Sequence, residues 1–158
     1  MKKIEMVDLR SQYDRLKADI DNAIAGVISS TAFIRGPAVR LFEEELERYL
    51  GVRHVISCAN GTDALQIAMM ALGLKPGDEV ITTNFTFIAT VEVIELLGLK
   101  TVLVEPDRGS FNISVEAVRK AITPRTKAIV PVHLFGQCAH MEPIIDLARQ
   151  HGIFIIED

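Results

Sequence analysis

The fold of this chain is decided by the stretch His54-Val55-Ile56-Ser57-Cys58-Ala59-Asn60-Gly61-Thr62-Asp63-Ala64-Leu65. It begins as a short apolar run, which predicts a strand over Val55–Cys58, and it breaks at Asn60-Gly61. It then continues into Ala64–Leu72, a run of good helix formers that stops at Gly73. The stretch therefore predicts a strand that turns through small polar residues directly into a helix.

This turn is a candidate anion site. The first N–H groups of a helix have no partner within it and lie at the positive end of the helix dipole, so a phosphate commonly binds there. Thr62 can add a hydroxyl donor, and Gly61 lets the backbone approach a ligand closely because it has no Cβ. The alternative is an ordinary strand-to-helix turn in which Thr62 or Asp63 caps the helix.

Composition restricts the function. The 158 residues are 49% hydrophobic and carry 17 basic against 21 acidic side chains, without a basic stripe, which disfavours a nucleic-acid partner. Cys58 and Cys138 suit no metal-ligand spacing, and they indicate free thiols in a reducing cytosol. The sequence has neither the apolar core of a signal peptide nor a run of membrane-spanning length. We therefore expect a cytoplasmic protein with no metal and no membrane partner.

The sequence divides into two parts. Residues 1–50 predict an N-terminal helical segment, with an amphipathic helix from Val7 to Ser30 and a second helix that begins at Pro37 and stops at Gly51. The run Glu43-Glu44-Glu45 is interpreted as a solvated helix face. Residues 51–158 predict an α/β domain.

The second part alternates short strands with helices. After Val55–Cys58 we predict four apolar strands, Glu79–Thr83, Thr101–Val104, Ala128–Val132 and Ile153–Ile156. The helices between them are Ala89–Leu97, a helix capped by Ser114 and ending near Ile122, and Met141–Gln150. Such strands are typical of a mainly parallel sheet flanked by helices, in which ligands lie beyond the carboxyl ends of the strands.

Three residues at the predicted strand ends are candidates for chemistry. Phe87 can stack on a planar ring, although aromatic side chains mostly belong to the core, and the residues alone favour the core. His133 can act as an acid or base, although a lone strand-end histidine is more often structural. Asp158 is interpreted as functional, because a carboxylate buried there is costly unless it pairs with a cation or a protonated nitrogen.

Several enzyme classes are excluded by missing motifs. The sequence has no Ser/His/Asp set, no Cys/His metal cluster, no Walker lysine and no G-x-G-x-x-G fingerprint, which argues against a nicotinamide dehydrogenase. It stops on an apolar strand followed by Glu157-Asp158, and domains rarely end so. We therefore expect the front part of a longer polypeptide.

Six motifs resemble one family in their order and spacing. They are Phe33-Ile34-Arg35-Gly36-Pro37, Lys75-Pro76-Gly77-Asp78-Glu79-Val80-Ile81, Asn60-Gly61-Thr62-Asp63-Ala64-Leu65, Thr86-Phe87-Ile88-Ala89-Thr90, Pro131-Val132-His133-Leu134-Phe135-Gly136-Gln137 and Ile156-Glu157-Asp158. Over essentially the whole chain the sequence resembles the DegT-type nucleotide-sugar aminotransferases. The resemblance implies the aspartate-aminotransferase fold, pyridoxal 5′-phosphate as cofactor, and a homodimer with sites at the subunit interface. It also implies transfer of an amino group, usually from glutamate, to a keto-sugar nucleotide in amino-sugar and polysaccharide biosynthesis.

The resemblance also implies roles for individual residues. Gly61 and Thr62 would hold the cofactor phosphate, and Phe87 would stack on the pyridine ring instead of belonging to the core. Asp158 would pair with the protonated ring nitrogen and keep the ring an electron sink. His133 would lie near the cofactor in a role that the resemblance leaves open.

The remaining implications concern the substrate and the proton shuttle. The turn formed by Ile34, Arg35 and Gly36 would line the sugar-nucleotide entrance. The family's Schiff-base lysine, which would move the proton, lies downstream of the aspartate, and this sequence ends before it. Two alternatives therefore stay open: a pyridoxamine-phosphate-dependent sugar dehydratase, with histidine in place of the lysine, and a non-catalytic relative that binds a sugar nucleotide or regulates. The sequence does not identify the sugar, the nucleotide or the carbon that receives the amine.

Overall fold

The computed structural model describes residues 6–158, which form two compact units. One unit extends to Ser57 and the other runs from Cys58 to Asp158. Within residues 6–158, no helix is both long enough and apolar enough to cross a membrane.

The first unit is helical. Helix α1, Leu9–Ser30, begins after Asp8, whose carboxylate accepts the Ser11 N–H at 2.9 Å. Helix α2, Pro37–Leu50, has proline at its first turn and ends at Gly51, which has a left-handed backbone (φ 66°). No residue of α1 or α2 is fully buried, and the apolar positions of the amphipathic pattern are exposed or half-buried.

The predicted strand over Val55–Cys58 is wrong. Within the described residues this run has no strand partner, and carboxylates of α2 accept two of its backbone N–H groups: Glu47 accepts that of Val55 and Glu43 that of Ser57, both at 2.9 Å. The Ser57 N–H also holds the pKa of Glu43 below its usual value. The prediction of a fully solvated Glu43-Glu44-Glu45 face is therefore wrong for Glu43, whose side chain is mostly buried.

The second unit contains a four-stranded parallel sheet in the order β2-β1-β3-β4. The strands are β1 Glu79–Thr83, β2 Lys100–Val104, β3 Thr126–Val130 and β4 Phe154–Ile155. The helices are α3 Gly61–Ala71, α4 Ala89–Leu96, α5 Val115–Ala121 and α6 Met141–His151, with a single 3₁₀ turn over Leu134–Gly136. The predicted helix-flanked parallel α/β fold is thus confirmed, although β4 is shorter than predicted.

Alternate residues of the central strands enter two separate cores. Val80 of β1 and Ala128 of β3 pack with residues of α3 and α4. Ile81 and Ile129, one position along each strand, pack with residues of α5 and α6. Because successive side chains of a strand point to opposite faces, the sheet is covered by helices on both sides. All five residues of β1 are buried as a result.

A buried carboxylate at the start of β1 was not identified from the sequence. Glu79 is 2% exposed and accepts hydrogen bonds from the Thr123 hydroxyl and the Arg125 guanidinium, the latter at 2.7 Å. Lys100 lies 3.5 Å away. The Thr123 hydroxyl first, and Arg125 second, lower the pKa of Glu79 to about 2. The Glu79 carboxylate therefore links β1 to the loop before β3.

We expect Glu79→Gln to lower the thermal unfolding midpoint of the purified protein at pH 7 by roughly 5–10 °C. The pKa is about 2 in the fold against an ordinary 4.5, so the stability contributed by ionised Glu79 is complete above about pH 4.5 and is lost as the pH falls toward 2. The difference between wild type and variant should therefore shrink between pH 7 and pH 3.

Exposed Glu142 on α6 offers a matched control. Glu142→Gln should change the midpoint by less than about 2 °C at either pH. A Glu79→Gln effect that is the same size at pH 7 and pH 3 would contradict the assignment of the low pKa.

Candidate functional site

A cleft of about 450 Å³ lies at the edge of the sheet where the strands have their carboxyl ends. Among its lining residues are the five that the sequence analysis proposed for cofactor binding and catalysis, Gly61, Thr62, Phe87, His133 and Asp158. The parallel strands bring them together, because the segments after β1, β3 and β4 leave the sheet on the same side as the start of α3. Their individual roles stay predictions.

The start of α3 leaves two backbone donors free. The helix begins at Gly61, three residues before the predicted start, and the cap is Asn60, not Thr62 or Asp63. The Asn60 side chain accepts the Asp63 N–H at 2.9 Å, and the Asn60 carbonyl accepts the Ala64 N–H at 3.1 Å. Within the described residues the N–H groups of Gly61 and Thr62 have no acceptor, so they are available to an anion.

Packing does not account for the glycine at position 61. Its φ is not positive, and a Cβ built there would meet no atom within 4 Å. Glycine at this position keeps open the space next to the two free N–H groups. A ligand that approaches the helix start closely would use that space.

Asp158 is held beside β3 by its backbone. Its N–H donates to the Pro131 carbonyl at 2.9 Å, and its carbonyl accepts the His133 N–H at 2.8 Å. Its Oδ2 accepts a hydrogen bond of 2.6 Å from the Thr90 hydroxyl. Asp158 is exposed and lines the cleft, so solvent or a ligand can reach its second carboxylate oxygen.

Both ring nitrogens of His133 have partners. Nδ1 accepts the Ala139 N–H at 3.2 Å, so the proton of the neutral ring lies on Nε2, which contacts Glu157 Oε2 at 2.8 Å. The imidazole therefore links the end of β3 to the segment after β4 and to the loop before α6. In this arrangement neither nitrogen points at a free acceptor or donor in the cleft.

The core interpretation of Phe87 is wrong. The side chain is 74% exposed and lines the cleft, just before α4. Phe135, which also lines the cleft, is exposed and has a left-handed backbone (φ 55°), which a bulky residue rarely adopts. The cleft thus presents aromatic surface that the protein fold does not cover.

The sequence analysis missed Asn112, which fixes the loop that carries Phe135. Asn112 is 3% exposed; its amide nitrogen donates to the carbonyls of Gln137 and Cys138, both at 3.1 Å, and its oxygen accepts the Leu134 N–H at 3.2 Å. These contacts join positions more than twenty residues apart, so no local pattern could indicate them.

The predicted substrate residues Ile34, Arg35 and Gly36 belong to the first unit. Ile34 is exposed, and Arg35 has a positive φ of 46° and lies 3.7 Å from Glu43. Gly36 has a packing reason, because a Cβ there would collide with the carbonyl oxygen of Ala32. Their role toward a substrate stays a prediction.

The family model of the DegT/DnrJ/EryC1/StrS aminotransferases matches residues 14–158. The chain belongs to this family. Over 155 residues it is 50% identical to the UDP-2-acetamido-2-deoxy-3-oxo-D-glucuronate aminotransferase of Pseudomonas aeruginosa, a match that covers 98% of this chain and 43% of that protein. It is also 46% identical to a pleiotropic regulatory protein of Geobacillus stearothermophilus, over 98% of this chain and 42% of that protein.

Solved structures of the DegT/DnrJ/EryC1/StrS family have the same fold. The crystal structure of S. venezuelae DesV in complex with a ketimine intermediate superposes with a TM-score of 0.96 at 39% identity. The match covers 99% of this chain and 42% of that one, so the chain spans less than half the length of the relatives that it matches. The aspartate-aminotransferase type of fold expected from the motifs is therefore confirmed for this part.

We expect Asn112→Ala to destabilise the purified protein by about 2–3 kcal/mol, because it removes three hydrogen bonds of a buried side chain, including the one that accepts the half-buried Leu134 N–H. Amide hydrogen exchange at Leu134 should become faster at the same time, because its acceptor is gone. Urea unfolding and exchange mass spectrometry measure the two effects.

Asn84→Ala provides the control, since Asn84 is exposed and makes one side-chain bond, to Glu105 at 2.8 Å. It should cost less than about 1 kcal/mol. Unchanged exchange at Leu134 in Asn112→Ala would contradict the role given to Asn112.

Proposed function

We propose that the protein is a pyridoxal-phosphate-dependent aminotransferase that moves an amino group from glutamate to a nucleotide-linked keto sugar. The observation that carries the proposal is the single cleft that combines free helix N–H groups, an exposed aromatic face and a fixed carboxylate. The names of the relatives support the reaction class. The resemblance of the motifs supports glutamate as donor and a homodimer as the working form.

The residues of the cleft fit the parts of the cofactor. Gly61 and Thr62 offer two backbone N–H groups and a hydroxyl to the phosphate, at the positive end of an eleven-residue helix. Phe87 offers its uncovered ring to the pyridine face. Asp158 offers its free carboxylate oxygen to the ring nitrogen, and a charge-assisted hydrogen bond of this kind is among the stronger ones.

The chemistry divides between the cofactor and the chain. When bound, pyridoxal phosphate supplies an electron-withdrawing ring that stabilises the carbanion formed at the substrate carbon. Asp158 would hold a proton at the ring nitrogen, and Phe87 would cover one face of the ring and exclude water from it. His133, with both nitrogens engaged, braces the end of β3. The lining of the cleft in the described chain includes no lysine. The family resemblance places the lysine that would move the substrate proton downstream of Asp158.

The names of two relatives support a substrate class. The Pseudomonas protein is named for a UDP-linked 3-oxo sugar acid, and the Acidithiobacillus relative, 44% identical, for a UDP-linked 3-dehydro sugar. We therefore place the transferred amine on C3 of a UDP-linked keto sugar, as a step of polysaccharide biosynthesis. The exposed free thiols of Cys58 and Cys138 fit a reaction in the cytosol.

The half-reaction with glutamate tests the proposal. The full-length protein is titrated with pyridoxal phosphate and then mixed with glutamate in the absence of any sugar. We expect a visible absorption band on cofactor binding, its loss on addition of glutamate, and one equivalent of 2-oxoglutarate for each site.

Two other results would replace the proposal with one of its rivals. Cofactor binding without formation of 2-oxoglutarate would favour a sugar dehydratase of the same fold. No binding at all would favour a non-catalytic or regulatory relative; the Geobacillus protein is named as a pleiotropic regulatory protein.

Asp158→Asn should raise the dissociation constant of pyridoxal phosphate by about 10- to 100-fold, the usual effect of losing a hydrogen bond to a charged group. Asp146→Asn on α6 removes the same charge from an exposed position away from the cleft and should change the constant by less than about twofold. Equal constants for wild type and Asp158→Asn would refute the pairing with the ring nitrogen.

A further inference from the structure

A pair of hydroxyl groups lies behind the carboxylate of Asp158. Thr90 is 1% exposed, and its Oγ1 is 2.6 Å from Asp158 Oδ2. On its other side, Thr86 Oγ1 is 3.2 Å from Thr90 Oγ1. The three side chains form a continuous row of hydrogen bonds. Within it, Thr90 and Asp158 are 68 positions apart in sequence.

The direction of this row follows from the number of hydrogens. An ionised carboxylate only accepts, so the one hydroxyl hydrogen of Thr90 goes to Asp158. Thr90 can then receive a hydrogen from Thr86 but cannot give one. The row therefore runs from Thr86 through Thr90 to Asp158, and each donor strengthens the next bond.

The bond to Thr90 distinguishes the two oxygens of Asp158. The backbone of Asp158 is already held at its N–H and its carbonyl, which leaves its side-chain torsions as the remaining freedom. With Oδ2 on Thr90, the carboxylate has one orientation, and Oδ1 is the oxygen left for a donor in the cleft. Thr90 itself cannot shift easily, because α4 is anchored by buried neighbours, Ala89 and Val93 among them.

We propose that Thr90 is a positioning residue, which orients the Asp158 carboxylate so that Oδ1 meets the ring nitrogen of the cofactor. This inference rests on the proposed function. With this role for Thr90, helix α4 positions both the Asp158 carboxylate and the Phe87 ring. Phe87 directly precedes the helix, and its carbonyl accepts the Thr90 N–H at 3.3 Å. Thr86 supports Thr90 from the other side.

Three variants of the full-length protein test the proposal, with the dissociation constant of pyridoxal phosphate as the first readout and the unfolding midpoint of the cofactor-free protein as the second. Thr90→Val keeps the shape and removes the hydroxyl, and should weaken binding about tenfold or more. Thr90→Ser restores the hydroxyl and should bind within about threefold of wild type. Thr86→Val removes only the supporting donor and should weaken binding by roughly threefold.

The chain offers a matched control in Thr101, whose hydroxyl donates to the Glu95 carboxylate at the same distance, 2.6 Å, outside the cleft. Thr101→Val breaks an equivalent bond and should leave the cofactor constant unchanged. The unfolding midpoints of Thr90→Val and Thr90→Ser should agree within about 3 °C, so that a difference in binding reflects the hydroxyl and not the fold.

The outcomes separate the inference from the function it rests on. Failure of wild type to bind the cofactor would overturn the proposed function. Wild-type binding with an unchanged constant in Thr90→Val would overturn the positioning role alone, as would equally weak binding by Thr90→Val and Thr90→Ser. If Thr90→Val does not fold, Thr86→Val decides the question. A threefold weaker cofactor affinity in Thr86→Val, together with near wild-type affinity in Thr90→Ser, supports the positioning role. An unchanged affinity in Thr86→Val overturns it.

Discussion

The hydrogen bonds between the end of β3 and the end of the chain determine how the cleft is built. The parallel pairing of β3 with β4 continues beyond the strands, as Ile156 donates to Ile129, Asp158 donates to Pro131, and His133 donates back to Asp158 at 2.8 Å. This register fixes the carboxylate of Asp158 beside the segment that carries His133 and the loop after it. A shift by one residue would turn Asp158 away from the cleft and put Glu157 in its place.

The groups that hold the sheet together and the groups that form the cleft lie at opposite ends of the strands. At the amino end of β1, buried Glu79 pairs with Arg125 and accepts a hydrogen bond from the Thr123 hydroxyl. These contacts lower the pKa of Glu79 to about 2. At the carboxyl end, the cleft presents exposed Phe87 and an exposed carboxylate, both of which water would otherwise cover. Such a division lets the cleft keep unsatisfied N–H groups and uncovered aromatic surface without loss of the fold, because the stabilising contacts are elsewhere.

Local patterns in the sequence were sufficient to predict the fold class but not the hydrogen-bond partner of every residue. The alternation of strands and helices, the glycine stops and the turn that leads into α3 were all predicted, since each depends on neighbours in sequence. The apolar run Val55–Cys58 was predicted as a strand because its pattern cannot reveal that carboxylates of α2 take up its N–H groups. Asn112 and Thr90 were missed for the same reason, because their hydrogen-bond partners, backbone groups for Asn112 and the Asp158 carboxylate for Thr90, are remote in sequence.

The central claim is that this edge of the sheet holds pyridoxal phosphate with Asp158 on the ring nitrogen and the start of α3 on the phosphate. The most direct measurement is a crystal structure of the full-length protein with the cofactor bound. The claim predicts the ring nitrogen within about 3.2 Å of Asp158 Oδ1, with Oδ2 still on Thr90, and phosphate oxygens within that distance of the Gly61 and Thr62 nitrogens. A cofactor bound in the reverse orientation, or away from Phe87 and Asp158, would contradict it.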